Sequence, residues 1–569
     1  MVLSCVPPVA ASLIATTENI LHIAPVSRGW KAEAPANIVF LSPSLTQQAL
    51  LIQIALLRPT TIIAGDQAID AQVIGQWRTS RPFGELCLVR RGTSLDKVRL
   101  DLCESNGIQV INTPGVNAPH VAAYIAHWLT LADGSLPHDI CVLGYGNVGK
   151  ELVKLLLDRD PAVRIRVLER QGRTTDAAEH TFPDRRVSVH RIDRALIERL
   201  HARARLVCVA KPDVFSDDAL RTLAAAEEIQ LVLDYGPATL DAFRMRIQAL
   251  GCDVASWRKP PTLTTRAATT EACHGDLDYA VCVQLSLMAL RGLVRRKLAQ
   301  SLTIPTHPVD VDAPRVSVIG RGINGLLQAV MLRLANYRVA VYGGNRQSDG
   351  ASHKQVNMRH LSATETTAKP LHNDYLFPAN QHLSVECNRA GIELFEKLLA
   401  DNPSLARFAR ARIVRAYRED AGDVEAAIRE QREIENRPWP SGRAGGEFAE
   451  ISRMQLQARY AIPGIGRAIE VSGYDLELIH FMHELEALLQ RGGVQFVPGH
   501  LSPAEIAELS REHVTIECTR PGTSDGLSIV YWSAYHQVTA GGTYAGGTTQ
   551  GLVWASLVQE LIQTRTHAP

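Results

Sequence analysis

The stretch VSVIGRGINGLLQAVMLRLANYRVAVYGGN, Val316 to Asn345, reads as an apolar strand, a glycine turn, a helix and a second strand. An earlier stretch, ICVLGYGNVGKELVKLLL from Ile140 to Leu157, has the same grammar. In both, a β-rich run ends in G-x-G-x-x-G and a helical pattern follows. Gly144, Gly146 and Gly149 form the first turn, around Asn147 and Val148. Gly320, Gly322 and Gly325 form the second, around Ile323 and Asn324. The first glycine of such a motif allows a tight turn, the second lets the backbone approach a pyrophosphate, and the third lets helix and strand pack closely. The helix N-terminus then offers N–H donors and the positive end of its dipole to the phosphates. One chain therefore carries the pattern for two dinucleotide sites.

Bulk properties set the frame. At 569 residues the chain is too long for one core and predicts about three or four folding units. A hydrophobic share of 46% with 21% charged residues is ordinary for a globular protein. The formal net charge of +1 gives no field that would draw the chain to nucleic acid or an anionic membrane. The expected partner is a small-molecule substrate, and a homodimer is compatible with this reading. Ten cysteines lie scattered without a CxxC spacing, which favours a reducing compartment and no metal. The leading segment MVLSCVPPVAASLIATTENI has no basic leader and reads as ordered chain. No uninterrupted apolar run approaches the ~20 residues that span a bilayer, so the expected location is the cytoplasm.

Apolar runs at NIVFLSP (from Asn37), TTIIAG (from Thr60) and LCLVRRG (from Leu86) alternate with helical segments, the rhythm of an α/β sheet. A second α/β unit follows from Asp139, with strands in ICVLGYG, RIRVLER, LVCVAKP and IQLVLDYG. A helix from about Tyr279 to Gln300 leads to SLTIPTHPVDVDAP, whose three prolines predict an interdomain linker. A third unit opens at Arg315. Within it, the charge-dense stretch from Phe408 to Gly446 predicts a solvated helical excursion that ends in a turn. Glu169 ends the strand after the first turn, about 20 residues on, where a carboxylate can grip a ribose diol. That favours NAD, although Arg170 and Arg173 could accommodate the 2′-phosphate of NADP.

The residues before the first turn, VRRGTSLDKVRLDLCESNGIQVINTPGVNAPHVAAYIAHWLTL from Val89 to Leu131, resemble the D-2-hydroxyacid dehydrogenase family. The resemblance covers roughly residues 37 to 300. It implies a substrate domain of residues 1–112 completed by 270–300, with an NAD-binding Rossmann domain of residues 113–269 between the two parts. The family's catalytic set departs here. Tyr235 stands where an arginine is expected, Lys259 where a glutamate is expected, and His274 is the candidate for the histidine. Without the arginine there is no bidentate clamp for a carboxylate, which makes ordinary 2-keto acid reduction a poor expectation.

After the second turn, GASHKQVNMRHLSA (Gly350 to Ala363) resembles the FAD-dependent D-amino-acid oxidase and glycine oxidase-like family. So do AIEVSGYDLELIHFMHELEALLQRGGVQFVPG (from Ala468), VTIECTRPG (from Val514) and AGGTYAGGTTQGLVWASLVQELI (from Ala540). The resemblance implies an FAD-binding domain over residues 315–569, after a linker at 301–314. It places Ala351, Ser352, Gln355 and Asn357 near the pyrophosphate or the flavin ring, and Gly546, Gly547 and Thr548 at the closing turn before the last helix. His353, Arg359, His360 and Tyr544 are polar neighbours, and Arg359 or Arg467 would bind a substrate carboxylate. One departure stands out: Gly343 occupies the place of the acid that normally holds the adenosine ribose.

The expected fold class is therefore α/β with two Rossmann-type units, the first inserted in a flavodoxin-like substrate domain and the second in an amine-oxidase-like flavoprotein domain. The expected function is a two-cofactor oxidoreductase, using FAD and NAD or NADP on an amino, imino or keto acid. Two alternatives stay open: only one half is catalytic and the other a scaffold, or the chain is a non-enzymatic dinucleotide sensor or assembly protein.

Overall fold

The computed structural model describes residues 10–131, 133–137, 139–160, 162–169, 187–191, 198, 205–208, 215–225, 230–233, 237–251, 270–343, 360–363, 373–418, 423–446, 448–452, 454–455, 458, 465–519, 529–532, 537–541 and 549–566. The first sheet is built from β1 (Ile20–His22), β2 (Ile38–Phe40), β3 (Thr61–Ala64), β4 (Leu86–Arg90) and β5 (Ile108–Asn112). All pairs are parallel and the order is β2-β1-β3-β4-β5. This is the flavodoxin-type order, with its topological switch between β1 and β3. Every residue of β3 and β4 is buried, which explains why both read as unbroken apolar runs and not as alternating ones. Capping fixes the crossover helices: Asp70 Oδ1 accepts from the backbone N–H of Gln72 and Val73 at 3.0 and 3.1 Å and starts helix Ala71–Ser80.

The second sheet contains β6 (Asp139–Leu143), β7 (Arg164–Glu169), β8 (Val187–Arg191), β9 (Arg205–Cys208) and β10 (Gln230–Leu233). It is again parallel, in the order β10-β9-β6-β7-β8. That is a doubly wound order, with β6 central and the chain stepping outward first to β7 and β8 and then to β9 and β10.

A 28-residue helix, Glu271–Leu298, follows. It begins earlier than the apolar pattern predicts because Thr270 caps it, its Oγ1 accepting from the backbone N–H of Cys273 at 3.3 Å. By length and composition this helix could cross a membrane, yet 78% of its most apolar window is buried inside the protein. Both sides are spent on packing. Val281, Cys282 and Leu285 join Ile20, Ile63 and Val89 of the first sheet. Leu277, Leu290, Leu293 and Val294 join the C-terminal core around Val316, Val318 and Phe395. The stretch after the helix holds no helix or strand up to Pro314, but it is not a loose tether. Leu302 and Ile304 are buried, and their backbone N–H groups donate to Asp401 Oδ2 at 2.6 Å and Asn402 Oδ1 at 3.0 Å.

The C-terminal region contains β11 (Arg315–Ile319), β12 (Arg338–Gly343), β13 (His360–Ser362), β14 (Ala409–Arg418), β15 (Ala449–Ile451), β16 (Ile465–Leu476), β17 (Gln495–Pro498), β18 (Val514–Thr519), β19 (Ile529–Trp532) and β20 (Gln537–Gly541). Six of them form a sheet in the order β17-β12-β11-β18-β20-β19, parallel except for the β19–β20 pair. The others form a small antiparallel sheet in which β13, β14 and β15 all pair with β16. The charge-dense stretch thus begins as a strand, contrary to the helical expectation. In β14 only Ile413 is fully buried, and Arg412 takes a positive φ of 69° where the register slips between Ala411 and Ile413. A strand this exposed, with a bulge, shows no clean period of two. Its helical part is Val424–Asn436.

Helix Phe377–Asp401 packs on helix Gly551–Thr566 so closely that a Cβ at Gly391 would lie 1.7 Å from the carbonyl oxygen of Thr549. Gly391→Ala is therefore expected to cost about 1–3 kcal/mol and to lower the midpoint of thermal unfolding. Gly75→Ala, inside helix Ala71–Ser80 with nothing within 4 Å of the added carbon, is expected to gain about 0.4–1 kcal/mol. Equal melting of the two variants would refute this packing.

Candidate functional site

At the first glycine turn Gly144 takes φ +99°, a conformation that side-chain-bearing residues avoid. Gly146 then caps helix Asn147–Arg159 in extended backbone, with no side chain bonded to the helix's first N–H groups. A Cβ added at Gly146 would meet nothing within 4 Å, so the space over it is open. Gly149 is buried one turn into the helix. Glu169 ends β7, paired in register with Arg191 of β8. Beside the turn, Lys150 Nζ lies 5.6 Å from the ring centre of Tyr145.

The second turn repeats this construction. Gly320 takes φ +117° and its N–H donates to Tyr342 O at 2.8 Å, tying the turn to β12. Gly322 caps helix Ile323–Leu334 without a side-chain bond, again with open space where a Cβ would stand. Gly325 is compulsory: a Cβ there would fall 1.8 Å from Gly320 O. Asn324 Oδ1 is buried with no hydrogen-bond partner, and it lies 3.2 Å from the Cβ position of Gly551, which starts the last helix. A buried acceptor left without a donor costs free energy unless something else supplies one.

The departure at Gly343 has a visible counterpart. A side chain at 343 would collide with Arg321, at 2.7 Å from its Cβ and 2.9 Å from its N. Arg321, the residue between the first two glycines, donates to both oxygens of Glu486 at 3.2 and 3.1 Å. Its guanidinium also lies 5.1 Å from the ring centre of Phe496 on β17. A carboxylate from helix Leu478–Arg491, and not from β12, therefore meets Arg321 here. No spacing rule points to Glu486; only the fold brings it there.

Of the three catalytic candidates, Tyr235 and Lys259 lie outside the described residues. His274 sits in the first turn of the long helix, where its Nδ1 accepts from Arg91 Nη2 at 2.8 Å. Arg91 also donates to Asp278 Oδ1 at 2.9 Å, and Asp278 Oδ2 accepts from the backbone N–H of Ser27 at 2.7 Å. Because arginine only donates, Nδ1 must accept and the ring proton stands on Nε2. Burial, then the charge of Arg91, holds the His274 pKa below its ordinary value. A protonated imidazole would stand beside a guanidinium, so this group suits anchoring the helix to β4 better than trading protons.

The flavin-side candidates Ala351, Ser352, Gln355, Asn357, Gly546, Gly547 and Thr548 lie outside the described residues, as do His353, Arg359 and Tyr544. Arg467 is held by Glu450 at 2.7 Å and also by Glu425, so its charge is already matched within β14–β16 and its flanks. Among the described residues no group of three or more His, Cys, Asp or Glu could hold a metal. A cleft of about 900 Å³ opens among Thr17, Lys297, Leu302, Met331 and Gln559, and neither glycine turn lines it. Sequence reasoning passed over His120, whose Nε2 donates to Asp276 Oδ2 at 2.7 Å. It also passed over Asn373 and Tyr375, which reach that pair and the first turn from the other half of the chain.

No family model and no curated protein matches the chain. Solved structures similar to it include the NAD+-bound 3-phosphoglycerate dehydrogenase of Entamoeba histolytica, at 17% identity and a TM-score of 0.35, covering 49% of this chain and 97% of that one. The pyruvate reductase of Chlamydomonas reinhardtii is similar at 16% identity and a TM-score of 0.36, covering 49% and 98%. D-lactate dehydrogenase of Lactobacillus jensenii with NAD+ is similar at 13% identity and a TM-score of 0.33, covering 48% and 96%. Each spans about half of this chain.

The buried histidine of the first sheet gives a pH signature. His22, at the end of β1, is pushed down to about 3 by burial and then by Arg91. A histidine depressed in the folded state contributes fully above its unfolded value near 6.5 and loses that contribution as pH falls. Urea midpoints should therefore drop between about pH 6.5 and 4, and His22→Phe should flatten that slope. An unchanged slope in the variant would rule out His22 as a source.

Proposed function

We propose that the chain is a two-cofactor oxidoreductase, with a nicotinamide dinucleotide at Gly144–Gly149 and FAD at Gly320–Gly325. One observation carries this reading. Both turns head a helix through a glycine that has no side-chain cap and faces open space. A diphosphate suits such a helix end, because it brings acceptors for the bare N–H groups and negative charge for the dipole. At the first turn the residues fit the group: Gly146, Asn147 and Val148 would carry the pyrophosphate. Glu169 would take the ribose diol, which favours NAD over NADP.

At the second turn the pyrophosphate end fits equally well, through Gly322, Ile323 and Asn324. Asn324 Oδ1 is a buried acceptor for a donor on the ligand. The ribose end is rebuilt: with Gly343 on β12, Glu486 held by Arg321 supplies the carboxylate. Ala351, Ser352, Gln355, Asn357, Gly546, Gly547 and Thr548 remain the proposed contacts to the rest of the flavin. When bound, the flavin supplies hydride acceptance from a carbon beside an amine, and the nicotinamide supplies hydride exchange with a carbonyl or imine. The chain's own part is to orient the substrate, an amino, imino or keto acid, and to keep the two sites in one molecule so that one site's product meets the other at high effective concentration.

A second reading has a specific observation behind it. His274 is locked to Arg91 and held neutral, and this favours a first half that binds nucleotide while the flavin half alone carries out catalysis.

The test is an absorbance spectrum of the purified protein, with identification of nucleotide released on denaturation, alongside NADH titration. Because Gly146 and Gly322 face open space, Gly146→Ala and Gly322→Ala should fold normally while placing a methyl group in the phosphate path. Gly322→Ala is expected to lose flavin and keep NADH binding, and Gly146→Ala the reverse. A colourless wild type that stays colourless with added FAD would remove the flavin half of the reading.

A further inference from the structure

Two connections join the first sheet to the second. The outgoing one is the turn Thr113–Asn117 after β5, and the returning one enters helix Glu271–Leu298. Any change in the angle between the two sheets must flex these connections. Both are gripped by one short segment of the other half of the chain, Asn373 to Leu376, just before helix Phe377–Asp401.

The grip is specific. Asn373 is 1% exposed, and its Nδ2 donates to Val116 O at 2.8 Å and to Asp276 Oδ2 at 3.0 Å. One amide therefore bridges the outgoing and returning connections. Asp276 Oδ2 also accepts from His120 Nε2, so the first turn of helix Ala118–Leu129 belongs to the same network. Two residues on, the Tyr375 hydroxyl donates to Asn147 O at 3.1 Å, at the first residue of the helix that the Gly144–Gly149 turn opens. The Tyr375 ring fills the space beside Gly115, where a Cβ would lie 2.3 Å from it. Gly115 has φ +76°, so both its backbone and its bare face depend on glycine. On the outside, Lys154 and Asp374 pair at 2.7 Å.

We propose that Asn373 and Tyr375 are positioning residues of the first nucleotide site, supplied by the C-terminal half. They hold the hinge turn against the helix end that meets the pyrophosphate, and so link nucleotide affinity at Gly144–Gly149 to the packing of the C-terminal half. The physical basis is preorganisation: a helix end already fixed against the hinge loses less freedom when a ligand docks on it. By linkage, nucleotide bound there stabilises the contact in return. The inference rests on the reading of the first turn as a nicotinamide nucleotide site.

The experiment uses the full chain, with NADH titrated by fluorescence and amide hydrogen exchange followed in residues 113–120 and 147–151. Tyr375→Phe removes one hydrogen bond and keeps the ring, so NADH binding should weaken about two- to tenfold. Asn373→Ala should weaken it further, and exchange should quicken in 113–120 in Asn373→Ala and in 147–151 in Tyr375→Phe. Unchanged affinity and unchanged exchange in both variants would overturn the proposal. If wild type binds no NADH, the reading of the first turn fails, and exchange alone then decides the clamp: faster exchange in Tyr375→Phe upholds it and unchanged exchange overturns it.

Discussion

The structure depends on helix Glu271–Leu298 being apolar on opposite sides at once. One side completes the core of the first sheet through Val281, Cys282 and Leu285, and the other enters the C-terminal core through Leu290, Leu293 and Val294. Polar contacts near both ends of this largely buried helix add to its packing and fix its register. At its start, Asp278 takes the Ser27 N–H and the Arg91 guanidinium in a pair buried on both sides, with side-chain exposures of 0% and 4%. Such a pair adds little net stability but is costly to break, about 3–5 kcal/mol when one partner is removed. At its far end, Lys297 is buried against Gln559 and Glu560 of the last helix. The two ends thus tie the same helix to opposite extremes of the chain.

Much of the frame was legible because parallel strands write themselves as apolar runs and glycine turns have a fixed spacing. TTIIAG and LCLVRRG appear as β3 and β4, and ICVLGYG and RIRVLER as β6 and β7. β1 was missed, since three residues amid Pro, Ser and His leave no period to detect. The start of the long helix was misjudged because EACHGDLD looks polar; Cys273, Asp276 and Asp278 are nevertheless buried, and the two carboxylates are bonded to the distant His120 and Arg91. β14 was hidden by Arg410, Arg412 and Arg418, which are exposed on an edge strand of the small antiparallel sheet.

The sites were legible only in their local part. A glycine turn is encoded within six residues, so Gly144 to Gly149 and Gly320 to Gly325 announce themselves. Relationships between distant segments do not. That Gly343 is small because Arg321 lies across it, and that Arg321 is held by Glu486, needs three segments in register. Tyr375 beside Gly115 spans the two halves and has no local signature at all.

The bond from Ser27 to Asp278 joins residues 251 positions apart, and this has a consequence for how the chain is made. The first sheet is finished at Asn112, yet its core lacks one wall until the helix ending at Leu298 has left the ribosome. At synthesis rates of about 5–20 residues per second, that interval lasts roughly ten to forty seconds. Through it, Ile20, Ile63 and Val89 stay uncovered on the side the helix will close. Nascent chains of this length are thus expected to need protection by chaperones, and the first sheet, within the N-terminal fifth of the chain, completes its core only late in synthesis.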